Sequence, residues 1–223
     1  MLDIKQITEQ RISEIWQEFS DLEMCKIPPL SVDEIDETGI VFIGINPSLS
    51  EDDRKHFFTN EEKAMGFYTL NTNGGENHKY FKKFADLSTK TSLPWCHFDL
   101  LYMRETRQSK LNDLMKFERG RHFIYHQLMV SKQIINQIME RNKSAIFVVN
   151  NALSRDLLGK DKPKGVAEHW MNFDFEFNHD WGTDSCNGHP FFFTCMLTGQ
   201  SALDRGSYER LVWHINFVKE KLR

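Results

Sequence analysis

The stretch GIVFIGINPSLS, residues 39–50, sets an apolar run from Ile40 to Ile45, interrupted only by Gly44, directly before an Asn-Pro step. A run without polar alternation is what a strand buried on both faces requires. Asn and Pro both favour turns, and the residue before a proline is pushed out of helical geometry. The stretch therefore reads as a buried strand ending in a turn. Asn46 is either punctuation or a polar group held at the mouth of that strand, and the rest of the chain has to decide between the two.

Outward from this strand, three further apolar runs have the same character: WCHFDLLYM from Trp95, SAIFVVNN ending at Asn151, and HPFFFTCML from His189. Helical periodicity separates them. Ile12, Ile15, Trp16 and Phe19 share one face of a helix over about residues 4 to 20. HKYFKKFADL reads as a helix, and Leu128, Ile135, Ile138 and Met139 line one side of a long one. ALSRDLLG is a helix closed by Gly159. Leu211, Ile215, Val218 and Leu222 face inward from the last.

Buried strands near residues 40–45, 97–102, 145–149 and 191–197, alternating with helices, predict an α/β fold. The expected form is a three-layer α/β/α arrangement around a central, mainly four-stranded parallel sheet. It comprises a single domain over 1–223, with a helical N-terminal extension at 1–38 and a core at 39–223. WMNFDFEFNHD alternates Phe173, Phe175 and Phe177 with acidic residues, the mark of an edge or inserted strand with one wet face.

With 28 basic and 32 acidic residues the formal charge is -4, which argues against binding nucleic acid through a large basic excess and leaves a local basic face open. The N-terminal MLDIKQITEQ lacks the apolar core of a signal peptide, and no run approaches the ~18–20 apolar residues of a membrane span, so a cytoplasmic protein without membrane contact is expected. Cys25, Cys96, Cys186 and Cys195 form no C-x-x-C pair. Cys186 and His189 in CNGH offer two metal ligands from one loop, but further partners at usable spacing are missing, so no metal is expected.

In a parallel sheet the ligand site lies outside the carboxyl ends of the strands. Those ends gather INPS after the first strand, Asp99 near the end of the second, Asn150 and Asn151 after the third and LTGQS after the last. No G-x-x-x-x-G-K or G-x-G-x-x-G follows any strand, and no G-x-S-x-G nucleophile elbow is present.

In this order the motifs resemble those of the uracil-DNA glycosylase superfamily. GINPS, Gly44 to Ser48, resembles the first motif as the mismatch-specific and single-strand-selective branches write it. MLTGQS, Met196 to Ser201, is similar to the closing pattern N-P-S-G-x-S, keeping the Gly and the final Ser. GFYT at Gly66 resembles the segment whose Phe stacks on the base, and HFDLLYMRETR the strand that reads uracil, with Asp99 at the usual Asn position.

The resemblance implies hydrolysis of an N-glycosidic bond to a damaged or deaminated base in base excision repair, with DNA as partner, no cofactor and a monomeric state. Asn46 would position the attacking water. Ile45, Phe67 and Asp99 would bind the extruded base, and Pro47, Ser48, Thr198, Gly199 and Ser201 would meet the DNA.

Two departures bear on chemistry. Met196 cannot donate a charged hydrogen bond to a leaving base anion. A carboxylate at Asp99 repels a base carbonyl unless it is protonated, and suits a base presenting an amino group better. Asp99 also reads as a buried partner of Arg104 or Arg107. The competing functional readings are a non-catalytic nucleic-acid or nucleotide binder that keeps the fold, and an unrelated α/β hydrolase-like enzyme.

Overall fold

The computed structural model describes residues 1–36, 38–59, 64–69, 79–160, 170–199 and 202–222. Within them the strands are β1 (Leu2–Asp3), β2 (Leu30–Val32), β3 (Glu34–Ile35), β4 (Ile40–Gly44), β5 (Gly66–Tyr68), β6 (Trp95–Asp99), β7 (Ile146–Val149), β8 (Glu176–Asn178), β9 (Thr183–Cys186) and β10 (His189–Phe193). The helices are α1 (Ile4–Glu18), α2 (Glu51–Thr59), α3 (Lys82–Thr91), α4 (Gln108–Leu114), α5 (Glu118–Arg141), α6 (Ala152–Leu158) and α7 (Arg205–Lys221). None of the described helices is long and apolar enough to cross a membrane.

The main sheet has six strands in the order β6-β4-β7-β10-β9-β8. The four apolar runs occupy its first four places and are mutually parallel, with Ile40 opposite Trp95 and Ile146, Gly44 opposite Asp99, and Phe191 opposite Phe147. Two of these strands, β6 and β10, start and stop earlier than the expected ranges 97–102 and 191–197. After Asp99 the buried residues Leu100 to Met103 leave the sheet. Their first two amides still reach back, Leu100 N to Gly44 O at 3.2 Å and Leu101 N to Ile45 O at 2.9 Å.

β9 and β8 extend the sheet antiparallel; β8 is the edge strand expected from the Phe alternation, whereas β9 is an addition the apolar pattern does not announce. The hairpin turn between β9 and β10 is Asn187-Gly188, both with positive φ, 50° and 78°. That geometry matches the twist of the flanking strands and favours the Asn-Gly pair. The expected strand around Phe173 to Phe177 shrinks to β8, and its rings differ in burial: Phe173 is buried whereas Phe177 is 54% exposed.

Alternation along the strands builds two cores. Val41, Ile43, Phe98, Phe147, Val149 and Phe191 join residues of α1 and α5 in one buried cluster. Ile40, Phe42, Trp95, Ile146, Val148 and Phe192 join residues of α3 and α7 in the other. The N-terminal 38 residues hold more than a helix, since β2 pairs with β5 and β1 with β3, and Ile12, Ile15 and Phe19 sit inside the first cluster. Local signals fit these helices. Asp3, Asn151 and Asp204 cap α1, α6 and α7 by accepting from Gln6 N, Leu153 N and Ser207 N, and Gly159 closes α6 at φ 97°.

The Phe147 and Phe191 rings stack at 4.4 Å in the middle of the sheet with neither side chain accessible. Phe147→Ala is expected to lower unfolding free energy by about 3–5 kcal/mol, against less than about 0.5 kcal/mol for Phe177→Ala, in paired denaturant titrations.

Candidate functional site

The parallel register places Gly44, Asp99, Asn150 and Thr194 along one edge of the sheet, so the loops after β4, β6, β7 and β10 emerge together. Gly44 is the floor of this edge. A Cβ there would lie 2.1 Å from Asp99 Oδ1 and 2.8 Å from His97 Nε2, distances that van der Waals repulsion forbids. The absent side chain lets the Asp99 carboxyl lie across β4.

Asp99 is 11% exposed at its side chain and takes no hydrogen bond among the described residues; His97 Nε2 stands 3.7 Å away, beyond hydrogen-bonding range. Burial raises its pKa to about 7. The guanidinium groups considered as partners lie elsewhere, Arg104 with Asp53 Oδ2 at 3.3 Å and Arg107 near Glu51 Oε1 at 3.9 Å.

His97 is boxed by the rings of Tyr80, Phe81 and Phe84 at centroid distances of 5.8, 5.3 and 5.6 Å. Burial lowers its pKa to about 3, and neither ring nitrogen finds a hydrogen-bond partner among the described residues. Tyr80 stands between the strands, its hydroxyl 3.5 Å from Asn150 Nδ2. Burial, and then the nearby Asp99 carboxyl, push the Tyr80 phenol up. Tyr68 is raised for the same reasons, with Tyr80 and Asp33 adding to the effect of Asp99.

Asn46 sits beside this cluster in a braced loop. Its Nδ2 donates to Glu105 O at 2.6 Å and to Pro47 O at 3.0 Å, while Glu105 N donates to Pro47 O at 2.9 Å. Thr106 Oγ1 accepts from Leu49 N and donates to Leu49 O. Burial opposes ionisation of Glu105, but the N–H groups of Arg107 and Thr106 and the Arg54 guanidinium at 2.8 Å together hold its carboxyl below the usual range. With Nδ2 committed, Oδ1 of Asn46 is the atom left to accept from a water or a substrate hydroxyl.

The remaining expected residues are placed as follows. Ile45 is half-buried, Pro47 buried and Ser48 exposed. Alternation turns Phe67 and Tyr68 to opposite faces of β5. Phe67 lies under Lys5, whose Nζ is 5.3 Å from its centroid, so Tyr68 is the aromatic of this strand on the Asp99 side. Thr198 and Gly199 lie in the loop after β10, a strand two spacings, about 10 Å, from β4 in the sheet order. Gly199 has φ 94°, and the loop closes through Leu203 N to Met196 O at 2.9 Å. Ser201 lies outside the described residues. Asn151 is committed to capping α6.

An open groove of about 460 Å³ between β8–β10 and α7 reaches the same edge at Thr194. Several of its polar groups are already partnered: Asp184 with Lys160, Thr183 Oγ1 with Phe191 O at 2.7 Å, Arg210 with Ser207 Oγ at 2.8 Å, and His214 Nε2 with Trp181 O at 2.7 Å. At the carboxyl ends of β4 and β6, by contrast, two buried ring nitrogens of His97 without partners stand beside the unpaired Asp99 carboxyl, which makes that cluster the stronger candidate. Among the described residues no three His, Cys, Asp or Glu side chains could hold a metal ion. Both nitrogens of His189 face main-chain carbonyls, of Asn187 and Asn142.

Sequence reasoning missed Tyr80, Tyr68 and the Glu105-Thr106 brace. His97 was within reach, since it alternates with Asp99 on one strand face, but nothing in HKYFKKF distinguishes Tyr80 from its neighbours. No protein-family model, curated protein or solved structure matches the chain.

Two outcomes follow from this packing. Gly44→Ala forces the new methyl against the Asp99 carboxyl and is expected to destabilise by about 1–3 kcal/mol, an effect that Gly44→Ala combined with Asp99→Ala partly relieves in a double-mutant cycle. The second concerns pH. Asp99 holds its proton up to about 7 when folded against 3.8 when unfolded, so its contribution to stability falls as pH rises through that interval. His97 stays neutral down to about 3 when folded but takes a proton below 6.5 when unfolded, so its contribution falls as pH drops. The slopes oppose each other between about pH 4 and 6.5. Asp99→Asn removes one, and denaturant titrations of that variant should show stability climbing by up to about 1.4 kcal/mol per pH unit more steeply than the wild type there.

Proposed function

We propose that this protein is a DNA glycosylase of the uracil-DNA glycosylase type, with a three-layer core around the four parallel strands, excising a damaged or deaminated base in the cytoplasm as a monomer without a cofactor. The observation that carries this reading is Asn46: an amide fixed at the carboxyl end of β4, its Nδ2 held by two main-chain carbonyls and its Oδ1 left to accept, one strand from a buried, unpartnered carboxyl.

Excision needs three things, and each has a candidate here. Water must add to the sugar C1′ as the C–N bond breaks, its proton passing to solvent, and Asn46 Oδ1 orients it by accepting a hydrogen bond from it. The base, leaving with the bonding pair, must be gripped out of the stack; Asp99, Asn150 and Tyr80 supply polar atoms at the right edge. The strand must be held, and Ser48, Thr198 and Gly199 offer hydroxyl and main-chain groups along the same rim. Met196 offers no charged donor to the departing base, so the rate rests on the remaining contacts.

A second reading, a non-catalytic nucleic-acid or nucleotide binder, is favoured by one observation: the Asn46 amide also does a structural task, tying its loop to Glu105. The two readings separate on Asn46→Ala. With oligonucleotides each carrying one modified base, the wild type should generate abasic sites, and Asn46→Ala should lower single-turnover release by about 100-fold or more with DNA affinity nearly unchanged. A purely structural Asn46 predicts instead a stability loss of roughly 0.5–2 kcal/mol, with any activity falling only with the folded fraction.

A further inference from the structure

The Asp99 carboxyl is built into an unusual setting. It crosses β4 where Gly44 has no side chain, and no cation is paired with it among the described residues. The titratable groups facing it are the His97 ring on its own strand, the Tyr68 phenol from β5 and the Tyr80 phenol from the turn before α3, whose hydroxyl stands 3.5 Å from Asn150 Nδ2. His97 is neutral and cannot stabilise an anion beside it. Oδ1 is turned toward Gly44 and His97. A carboxyl so placed has two faces for a ligand. As an acid it can donate its O–H to a carbonyl; as a carboxylate it only accepts and repels one.

Resting on the excision reading, we propose that Asp99 is the specificity-determining residue of this site and works in its acid form, donating its O–H to a ring carbonyl of the extruded base. Oxo bases such as uracil are then taken while the carboxyl holds its proton, and only amino-bearing bases remain compatible once it is lost. The raised carboxyl pKa of about 7 puts this exchange within the working range of a cell. An amide at this position presents a permanent N–H donor, so the acid makes conditional what an amide makes constant.

The test is single-turnover release of uracil from an oligonucleotide between about pH 5.5 and about pH 8.5, for the wild type and Asp99→Asn. Wild-type release is expected to fall up to about tenfold per pH unit above about pH 7, and that limb should be absent in Asp99→Asn, which keeps a donor at every pH. The same alkaline limb in both proteins, or a flat wild-type profile, overturns the proposal while leaving excision intact. Carbon-13 NMR of the Asp99 carboxyl reads the titration without any activity; a midpoint near the ordinary carboxylate value also overturns it.

Should the wild type release no base, oligonucleotides bearing 2′-fluoro sugars report binding alone by fluorescence anisotropy. A preference for uracil over cytosine at about pH 6 that disappears by about pH 8.5 sustains the role of Asp99 as excision is abandoned. Equal affinities at both pH values overturn both.

Discussion

The absence of a side chain at Gly44 is the constraint on which the candidate site depends. Parallel pairing brings Gly44 and Asp99 into register, and the Asp99 carboxyl occupies the volume any larger residue would need. Because that carboxyl lies across the strand instead of reaching solvent, it is desolvated, and desolvation favours its neutral form. His97, two residues earlier on the same face, is desolvated in the opposite chemical sense and stays an uncharged ring. A close backbone approach thus sets the charge state of two side chains at once.

The same edge divides its labour between rigid and reactive groups. Asn46, Glu105 and Thr106 form a hydrogen-bonded brace that fixes the loop after β4 against the loop after β6, and Glu105 stays ionised because donors surround it. Asp99 has no such donors. Two carboxyl groups six residues apart therefore carry opposite protonation preferences, and the difference comes from their neighbours, not from depth of burial alone. Pairs of carboxyls pushed apart in this way mark places where a protein can accept at one atom and donate at another.

Much of the sheet was legible from local pattern. Four apolar runs without alternation could hardly be anything but strands buried on both faces, and helical periodicity between them demanded parallel crossovers. The edge was less legible. Phe173, Phe175 and Phe177 alternate as a strand should, yet only Glu176–Asn178 pairs, against Thr183 to Ser185 of β9. Asn187-Gly188 carried a hairpin signal plain in the sequence, overshadowed by the neighbouring Cys186 and His189 as candidate metal ligands.

The sequence by itself determined the order of the four buried strands and of the helices recognised between them, the position of Asn46 after the first strand and the presence of Asp99 on the second, since period and turn chemistry are local properties of the chain. Only the tertiary structure decided what those residues face. Tyr80 reaches Asn150 across 70 residues of chain, Glu105 reaches Asn46 across 59, and Tyr68 turns toward Asp99 because β5 pairs with β2. A carboxyl's pKa and a ring's partners depend on which groups fold against them from distant parts of the chain, and no local pattern encodes that proximity.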